Sequence, residues 1–344
     1  MIHDAMPCAI TVFGAGSWGT ALSLSLASQG HRVSLWARRP EIAHAILETR
    51  HNPEYLTHAE IPVGVTADTD LACSAEFSNY WVIATPSHAV RSLAYDLLRY
   101  ADHQTVIICV SKGIESDTEM TMTQVLSDVM NSVVPDKNLG VLYGPSHAEE
   151  VAMGQPTTLV AASTEAACAE LVQNIFMTDR LRIYVNTDLL GVEIGGSVKN
   201  IIAIASGISD GLGFGDNARA ALITRGIAEI QRLGSALGAE PSTFVGLTGL
   251  GDLVVTCTSS HSRNRHLGEA IGRGESLDHI MSSMNMIAEG VKTTKAVYQM
   301  ALRHRIEMPI TEAMYKILYE ELHPNDLVHY LMSRSAKQED WLNP

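Results

Sequence analysis

A few short clusters in this sequence hold residue types that could do chemistry together. The stretch Gly195-Gly196-Ser197-Val198-Lys199-Asn200-Ile201-Ile202 places one lysine among small and apolar residues. A buried ammonium is costly and tends to lose its proton, and a neutral lysine can take a proton from a hydroxyl. A lysine snorkelling to the surface from a helix edge fits the same residues. Ile107–Gly113 (IICVSKG) ends an apolar run in Lys112, placed to meet a phosphate or a cofactor, or simply exposed. Gly144-Pro145-Ser146-His147 follows a second apolar run, and Ser146 offers a hydroxyl and an amide to an anion. His147 suits proton transfer by type and a structural role equally, so no catalysis is assigned to it. Gly246–Leu253 (GLTGLGDL) is a glycine-rich approach to one carboxylate, Asp252, which fits a site or an N-cap. Ser262-Arg263-Asn264 opens a helical run, and a helix N-terminus with a guanidinium is a good phosphate site.

Another cluster lies near the start. Phe13-Gly14-Ala15-Gly16-Ser17-Trp18-Gly19 is a GxGxxG directly after an apolar strand and before a helical pattern. In that context Gly14 allows the tight turn, Gly16 lets amides approach a pyrophosphate, and Gly19 lets helix and strand pack closely. A cofactor-free glycine-rich turn is the alternative. Sites that prefer NAD usually place an acid at the end of the second strand to hold the ribose hydroxyls. Here Trp36-Ala37-Arg38-Arg39 stands at that point, which favours NADP(H) while leaving NAD(H) possible. A solvated basic turn would read the same way.

These clusters need elements to position them. Cys8–Phe13, Arg32–Trp36, Tyr80–Thr85, Thr105–Val110, Leu139–Tyr143, Thr157–Ala162 and Leu181–Val185 read as strands, and Trp18–Gln29 reads as a helix stopping at Gly30. Strands alternating with helices predict an α/β, mostly parallel, doubly wound sheet. After about Asn186 the texture turns helical, with patterns over Leu189–Ser209, Asn217–Gly234, Arg263–Gly272, Gly290–Arg303 and Thr311–Glu320. The expected domains are therefore residues 1–187 and an all-α domain over residues 188–344.

Composition bounds the partners. With 24 basic and 38 acidic residues the formal net charge is −14, so a general nucleic-acid surface is not expected and any anion site must be a local basic cluster. Cys8, Cys73, Cys109, Cys168 and Cys257 show no CxxC or metal-ligand spacing and read as reduced thiols. No metal is expected. The opening MIHDAMPCAI lacks the basic-then-apolar order of a signal peptide, and no apolar run approaches the ~18 residues of a membrane span.

Taken in order, GAGSWG, SKGIE, GPSHAEE, GGSVKNIIAIASG, GLGDLVVTC and SRN closely resemble the bacterial-type NAD(P)-dependent glycerol-3-phosphate dehydrogenases over nearly the whole chain. The resemblance implies a Rossmann-type domain followed by an all-helical domain like that of 6-phosphogluconate dehydrogenase, with the active site in the cleft between them. It implies a cytoplasmic homodimer without membrane insertion, acting on a small phosphorylated substrate. Lys199 matches the family's proton acceptor and Asn200 its neighbour in the site. Ser17 and Trp18 match cofactor contacts, Arg38 falls at the 2′-phosphate position, and Arg39 is placed to share it. Lys112 matches a lysine touching both cofactor and substrate. Gly144 and Ser146 match substrate contacts, and Ala148 a cofactor contact. Asp252, Ser262, Arg263 and Asn264 match the substrate set, with Arg263 also near the cofactor. Ile287 and Glu289 match late cofactor contacts. Asn52–Leu56 (NPEYL) resembles the family's NxxYL loop, which makes Tyr55 a further cofactor candidate; Thr57 stands where the family often has proline.

The implied reaction interconverts sn-glycerol 3-phosphate and dihydroxyacetone phosphate, which supplies phospholipid synthesis. Lys199 would exchange the C2 hydroxyl proton while Arg263 holds the phosphate. Two other readings use part of the pattern. A β-hydroxyacid dehydrogenase shares the two-domain plan and the Lys–Asn pair but leaves the SRN cluster without a phosphate. A non-catalytic NADP(H)-sensing protein leaves Lys199, Asp252 and Arg263 without a joint purpose.

Overall fold

The computed structural model describes residues 6–283 and 288–333. They divide between two compact units, the first made of residues 6–112 and 120–193, the second of residues 113–119, 194–283 and 288–333.

The first unit is built on one eight-stranded sheet in the order β3-β2-β1-β4-β5-β6-β7-β8. Its strands are β1 Ala9–Phe13, β2 Arg32–Trp36, β3 Val65–Asp68, β4 Tyr80–Ile83, β5 Val106–Cys109, β6 Leu139–Tyr143, β7 Thr157–Ala162 and β8 Leu181–Asn186. All neighbours run parallel except β6 and β7, which pair antiparallel through Val141 and Ala162. The central strands β5 and β6 are buried along their whole length, as a parallel sheet covered on both faces demands. The covering helices are α1 Ser17–Ser28, α2 Pro40–Thr49, α3 Leu71–Glu76, α4 Val90–Leu97, α5 Met122–Met130, α6 Ala148–Ala152 and α7 Ala166–Phe176. The doubly wound sheet expected from sequence is thus present. β3 was not foreseen, because its four residues Val-Thr-Ala-Asp contain only two apolar side chains.

Helix α8, Leu189–Gly211, starts in this unit and continues into the next. Near its beginning Glu193 is 1% exposed. Its carboxylate accepts from the Thr123 amide at 2.9 Å, from Thr121 Oγ1 at 2.7 Å and from the Thr123 hydroxyl. These are donors at the start of α5, so the buried side chain acts as a cap. Burial pushes its pKa up, and the same hydrogen bonds pull it down. By length and apolarity α8 could cross a membrane, contrary to the expectation that no run comes near that size. Its most apolar window is 89% buried, so that surface is already used inside the protein.

The second unit is helical. It continues α8 with α9 Asp216–Ala236, α10 Pro241–Phe244, a π-helical turn Leu247–Gly251, α11 Asp252–Thr258, α12 Arg263–Gly272, α13 Leu277–Ser283, α14 Glu289–His304, α15 Pro309–Tyr319 and α16 Asp326–Met332. α8 is slim so that its neighbours can sit against its backbone. A Cβ on Gly195 would lie 2.7 Å from the Thr248 carbonyl oxygen, and one on Gly207 would lie 2.0 Å from that of Arg265. Asp210 near its end accepts from Arg219 Nη2 at 2.7 Å and Arg265 Nε at 2.8 Å, which pins α9 and α12 to the same helix.

Glu229 on α9 is 2% exposed and caps α15, accepting from the Ile310 amide at 2.6 Å and the Thr311 amide at 3.2 Å. Desolvation raises its pKa from 4.5 to about 7, against the pull of those hydrogen bonds and of Arg232. A raised carboxylate pKa means the folded state binds the proton more tightly than the unfolded chain. The resulting stability is full below the unfolded pKa and is lost as pH climbs to the folded one. The shift corresponds to roughly 3 kcal/mol. Urea unfolding of wild type and Glu229→Gln across this range should show the variant gaining about that much relative to wild type. A pH-independent difference between the two would contradict it.

Candidate active site

In the first unit the candidate groups gather at the carboxyl ends of β1, β4, β5 and β6. The strand order reverses between β1 and β4, and open α/β sheets bind their ligands at such a point. Gly14 has φ +123, and a Cβ there would meet the Ala84 carbonyl oxygen at 2.7 Å. A Cβ on Gly19 would fall 1.9 Å from the Gly14 carbonyl oxygen, so only glycine lets α1 pack on the loop. Gly16 is different, with open space where its Cβ would be. It is the N-cap of α1, and no side-chain hydrogen bond caps that helix. Ser17, Trp18 and Gly19 form the helix's first turn, whose amides point along the axis with partial positive charge. At the end of β4 the Thr85 hydroxyl is buried with no hydrogen-bond partner among the described residues. An open glycine, an uncapped helix start and a stranded hydroxyl at the switch point fit a dinucleotide pyrophosphate.

The loop after α2 is tied to this cradle. Asn52 is fully buried, and its Nδ2 donates to the Ala15 carbonyl at 2.9 Å and Thr20 Oγ1 at 3.1 Å. Its Oδ1 accepts from the amides of Glu54 and Tyr55, each at 3.1 Å. Tyr55 is thereby held beside the glycine loop, half-buried. Arg38 and Arg39 follow β2 by two and three residues, and their environments differ. Arg38 is exposed, and no ion pair holds it among the described residues. Arg39 pairs with Glu54, and its Nε lies 3.8 Å from Glu41.

Beyond β5 and β6, Lys112 Nζ donates to the Gly144 carbonyl at 3.0 Å and stands 5.6 Å from the centre of the Tyr143 ring. Ser146 Oγ donates to the same carbonyl at 3.3 Å, and the Tyr143 hydroxyl donates to Ser111 O. Three of the expected contacts, Lys112, Gly144 and Ser146, therefore form one cluster. Ala148 opens α6 behind them, after His147.

The second unit resolves the ambiguity over Lys199. The residue is 6% exposed, so it does not snorkel. Nζ pairs with Asp252 Oδ1, which is 1% exposed, and donates to Thr256 Oγ1 at 2.7 Å. The Thr256 hydroxyl in turn donates to the Asp252 carbonyl at 2.6 Å. Asp252 is the first residue of α11, set there by the π turn, rather than a cap. Gly249 permits that turn, since a Cβ would lie 2.0 Å from the Phe244 carbonyl oxygen.

Asn200 is 7% exposed and Asn264 9%. Asn264 Oδ1 accepts from the Gly290 amide at 2.9 Å, and a Cβ on Gly290 would come 2.8 Å from the Asn200 carbonyl oxygen. The two asparagines and the start of α14, with Glu289 in its first turn, thus meet around one glycine. Ser262 caps α12, accepting from the Arg265 amide at 3.2 Å, and Arg263, the first residue of that helix, is exposed. Ile287 lies outside the described residues. Thr256 was not singled out from sequence, although a hydroxyl four residues after an aspartate on a helix is placed on the same face. Among the described residues no group of three His, Cys, Asp or Glu side chains could hold a metal ion.

Comparison with known proteins identifies the family. The family models described as NAD-dependent glycerol-3-phosphate dehydrogenase N-terminus and C-terminus match residues 9–169 and 188–329. The chain belongs to this family. A curated member from Salinibacter ruber, glycerol-3-phosphate dehydrogenase of the NAD(P)+ type, is 57% identical over 97% of each chain. One from Staphylococcus aureus is 47% identical over 96% of this chain and 99% of its own. The crystal structure of the glycerol-3-phosphate dehydrogenase of Coxiella burnetii aligns with a TM-score of 0.91 at 39% identity, covering 96% of this chain and all of that one. Family membership brings a nicotinamide cofactor, which the glycine cradle suits.

Asn52 makes four hydrogen bonds in this site, all buried or half-buried. Asn52→Ala should lower unfolding free energy by about 2–4 kcal/mol and weaken dinucleotide binding, read by urea unfolding and calorimetry. A loss under about 0.5 kcal/mol with unchanged binding would show that the loop holds itself.

Proposed function

We propose that this protein interconverts sn-glycerol 3-phosphate and dihydroxyacetone phosphate, and that its product feeds phospholipid synthesis. The observation that carries the proposal is the buried Lys199–Asp252–Thr256 set in a member of this family. A bound nicotinamide supplies the hydride donor or acceptor. In the oxidising direction Lys199 takes the proton of the C2 hydroxyl, and in the reducing direction it returns a proton to the carbonyl oxygen. Asp252 and Thr256 fix the direction of Nζ, which a flexible lysine stem would otherwise leave undefined. Arg263, exposed at the start of α12, holds the substrate phosphate with the helix amides and Asn264 beside it. Binding energy from that phosphate then positions C2 for transfer. Lys112 and Ser146 are further substrate contacts, with Gly144 giving the backbone room; Asn200 flanks the reacting carbon.

On the cofactor side Gly14, Gly16, Ser17, Trp18 and Gly19 take the pyrophosphate, with Tyr55, Ala148, Glu289 and Ile287 as further contacts. NADP(H) is preferred through Arg38, with NAD(H) also used. The reaction needs no metal. The five cysteines are all free thiols, which supports a reducing cytoplasm as the location. The active form is a homodimer without membrane insertion. A phosphate clamp favours this reading over an unphosphorylated β-hydroxyacid. A sensing protein would have no need for a buried lysine aimed by two partners.

Lys199→Ala should reduce kcat by about 10²- to 10⁴-fold while NADPH still binds, as measured by steady-state kinetics and calorimetry. Near-normal turnover would remove the proton-transfer role. Arg38→Asp should raise the Kd of NADPH at least about tenfold more than that of NADH, and equal losses would remove the 2′-phosphate assignment.

A further inference from the structure

Two adjacent arginines follow β2, yet only one of them meets solvent without an acidic partner. Arg39 is paired with Glu54, and Glu41 approaches it from α2 at 3.8 Å. Both side chains of the Arg39–Glu54 pair are about two-fifths exposed, so a ligand can reach them. Glu54 is not loosely placed. Its amide is bonded to the buried Asn52, which is itself bonded to the glycine loop. The carboxylate is therefore held beside the basic turn by the same residue that anchors the cofactor cradle. Pairing with Glu54 also raises the pKa of Arg39, so the guanidinium remains a cation whose charge is offset.

We propose that Glu54 sets the balance between the two nicotinamide dinucleotides by competing with the 2′-phosphate for Arg39. The inference rests on the reading of this turn as the 2′-phosphate position. A 2′-phosphate carries close to two negative charges at neutral pH. It must displace or share the Glu54 carboxylate to engage Arg39, and it is repelled by that carboxylate meanwhile. NADH, with hydroxyls there, meets neither cost. Arg38 alone then supplies the preference for NADP(H). The chain places an acid against its phosphate site and keeps both cofactors usable, and the acid comes from a neighbouring loop rather than from the end of β2.

Calorimetric titration of the full-length protein with NADPH, NADH and adenosine 2′,5′-bisphosphate tests this without turnover. In Glu54→Gln the Kd of NADPH and of the bisphosphate should fall roughly 3- to 20-fold, while that of NADH changes less than about twofold. Glu54→Lys should go further in the same direction, and the gain should shrink as salt is raised. Asn52 bonds the backbone of residue 54, so both variants keep the loop anchor, which an unchanged Tm checks. Equal tightening of NADPH and NADH, or no change in either, overturns the inference. Arg38→Asp in the same titration separates the two claims. If it weakens NADPH selectively while Glu54→Gln does nothing, the phosphate site stands and the competition falls. If it leaves NADPH untouched, the phosphate site itself is wrong.

Discussion

One ammonium group, 6% exposed in a helix otherwise made of small and apolar residues, constrains much of the second unit. A buried charge left unpaired costs several kcal/mol, so Lys199 requires a partner at its tip. Asp252 supplies it and is itself 1% exposed, which means the carboxylate depends on the lysine in turn. Neither residue can be brought there cheaply. The π turn advances the chain so that Asp252 begins α11 facing α8, and Thr256 comes one turn later on the same face. The glycines of this region serve that packing. Gly195 makes room for the Thr248 carbonyl and Gly249 for that of Phe244. They are used within the helical unit.

The first unit rests on a different economy, in which backbone rather than charge makes the site. Gly14 and Gly19 let loop, strand and helix approach one another, and Gly16 leaves the helix start open. Charged side chains are then placed around this neutral cradle. Lys112 is aimed by the Gly144 carbonyl, Arg38 is left exposed, and Arg39 is partly offset by Glu54. The arrangement lets an acidic chain with net charge −14 still place cations at chosen points.

Much of this was legible in the sequence because it depends on short-range pattern. Apolar runs gave the strands from β4 to β8 nearly to the residue, and α12 emerged with both ends as expected. β3 was too short and too polar to announce itself, and the antiparallel pairing of β6 with β7 leaves no mark in the apolar pattern of either strand. Side-chain partnerships were the harder part. Lys199 was ambiguous until Asp252 and Thr256, more than fifty residues later, were seen against it. Arg39 was expected to share the position of Arg38, because nothing local shows that Glu54 returns to it. Asn52, Glu193 and Glu229 hold loops and helix starts through contacts fixed only by tertiary packing.

Lys199 and the start of α12 are proposed to act on one phosphorylated three-carbon substrate. The most direct test is reduction of dihydroxyacetone phosphate by the purified protein with NADPH, run beside unphosphorylated dihydroxyacetone and followed by loss of nicotinamide absorbance. Rapid turnover of the phosphate ester, with kcat/KM at least about 10³-fold above that of the free ketone, is the predicted result. No turnover of the ester, or equal rates for the two, would contradict it.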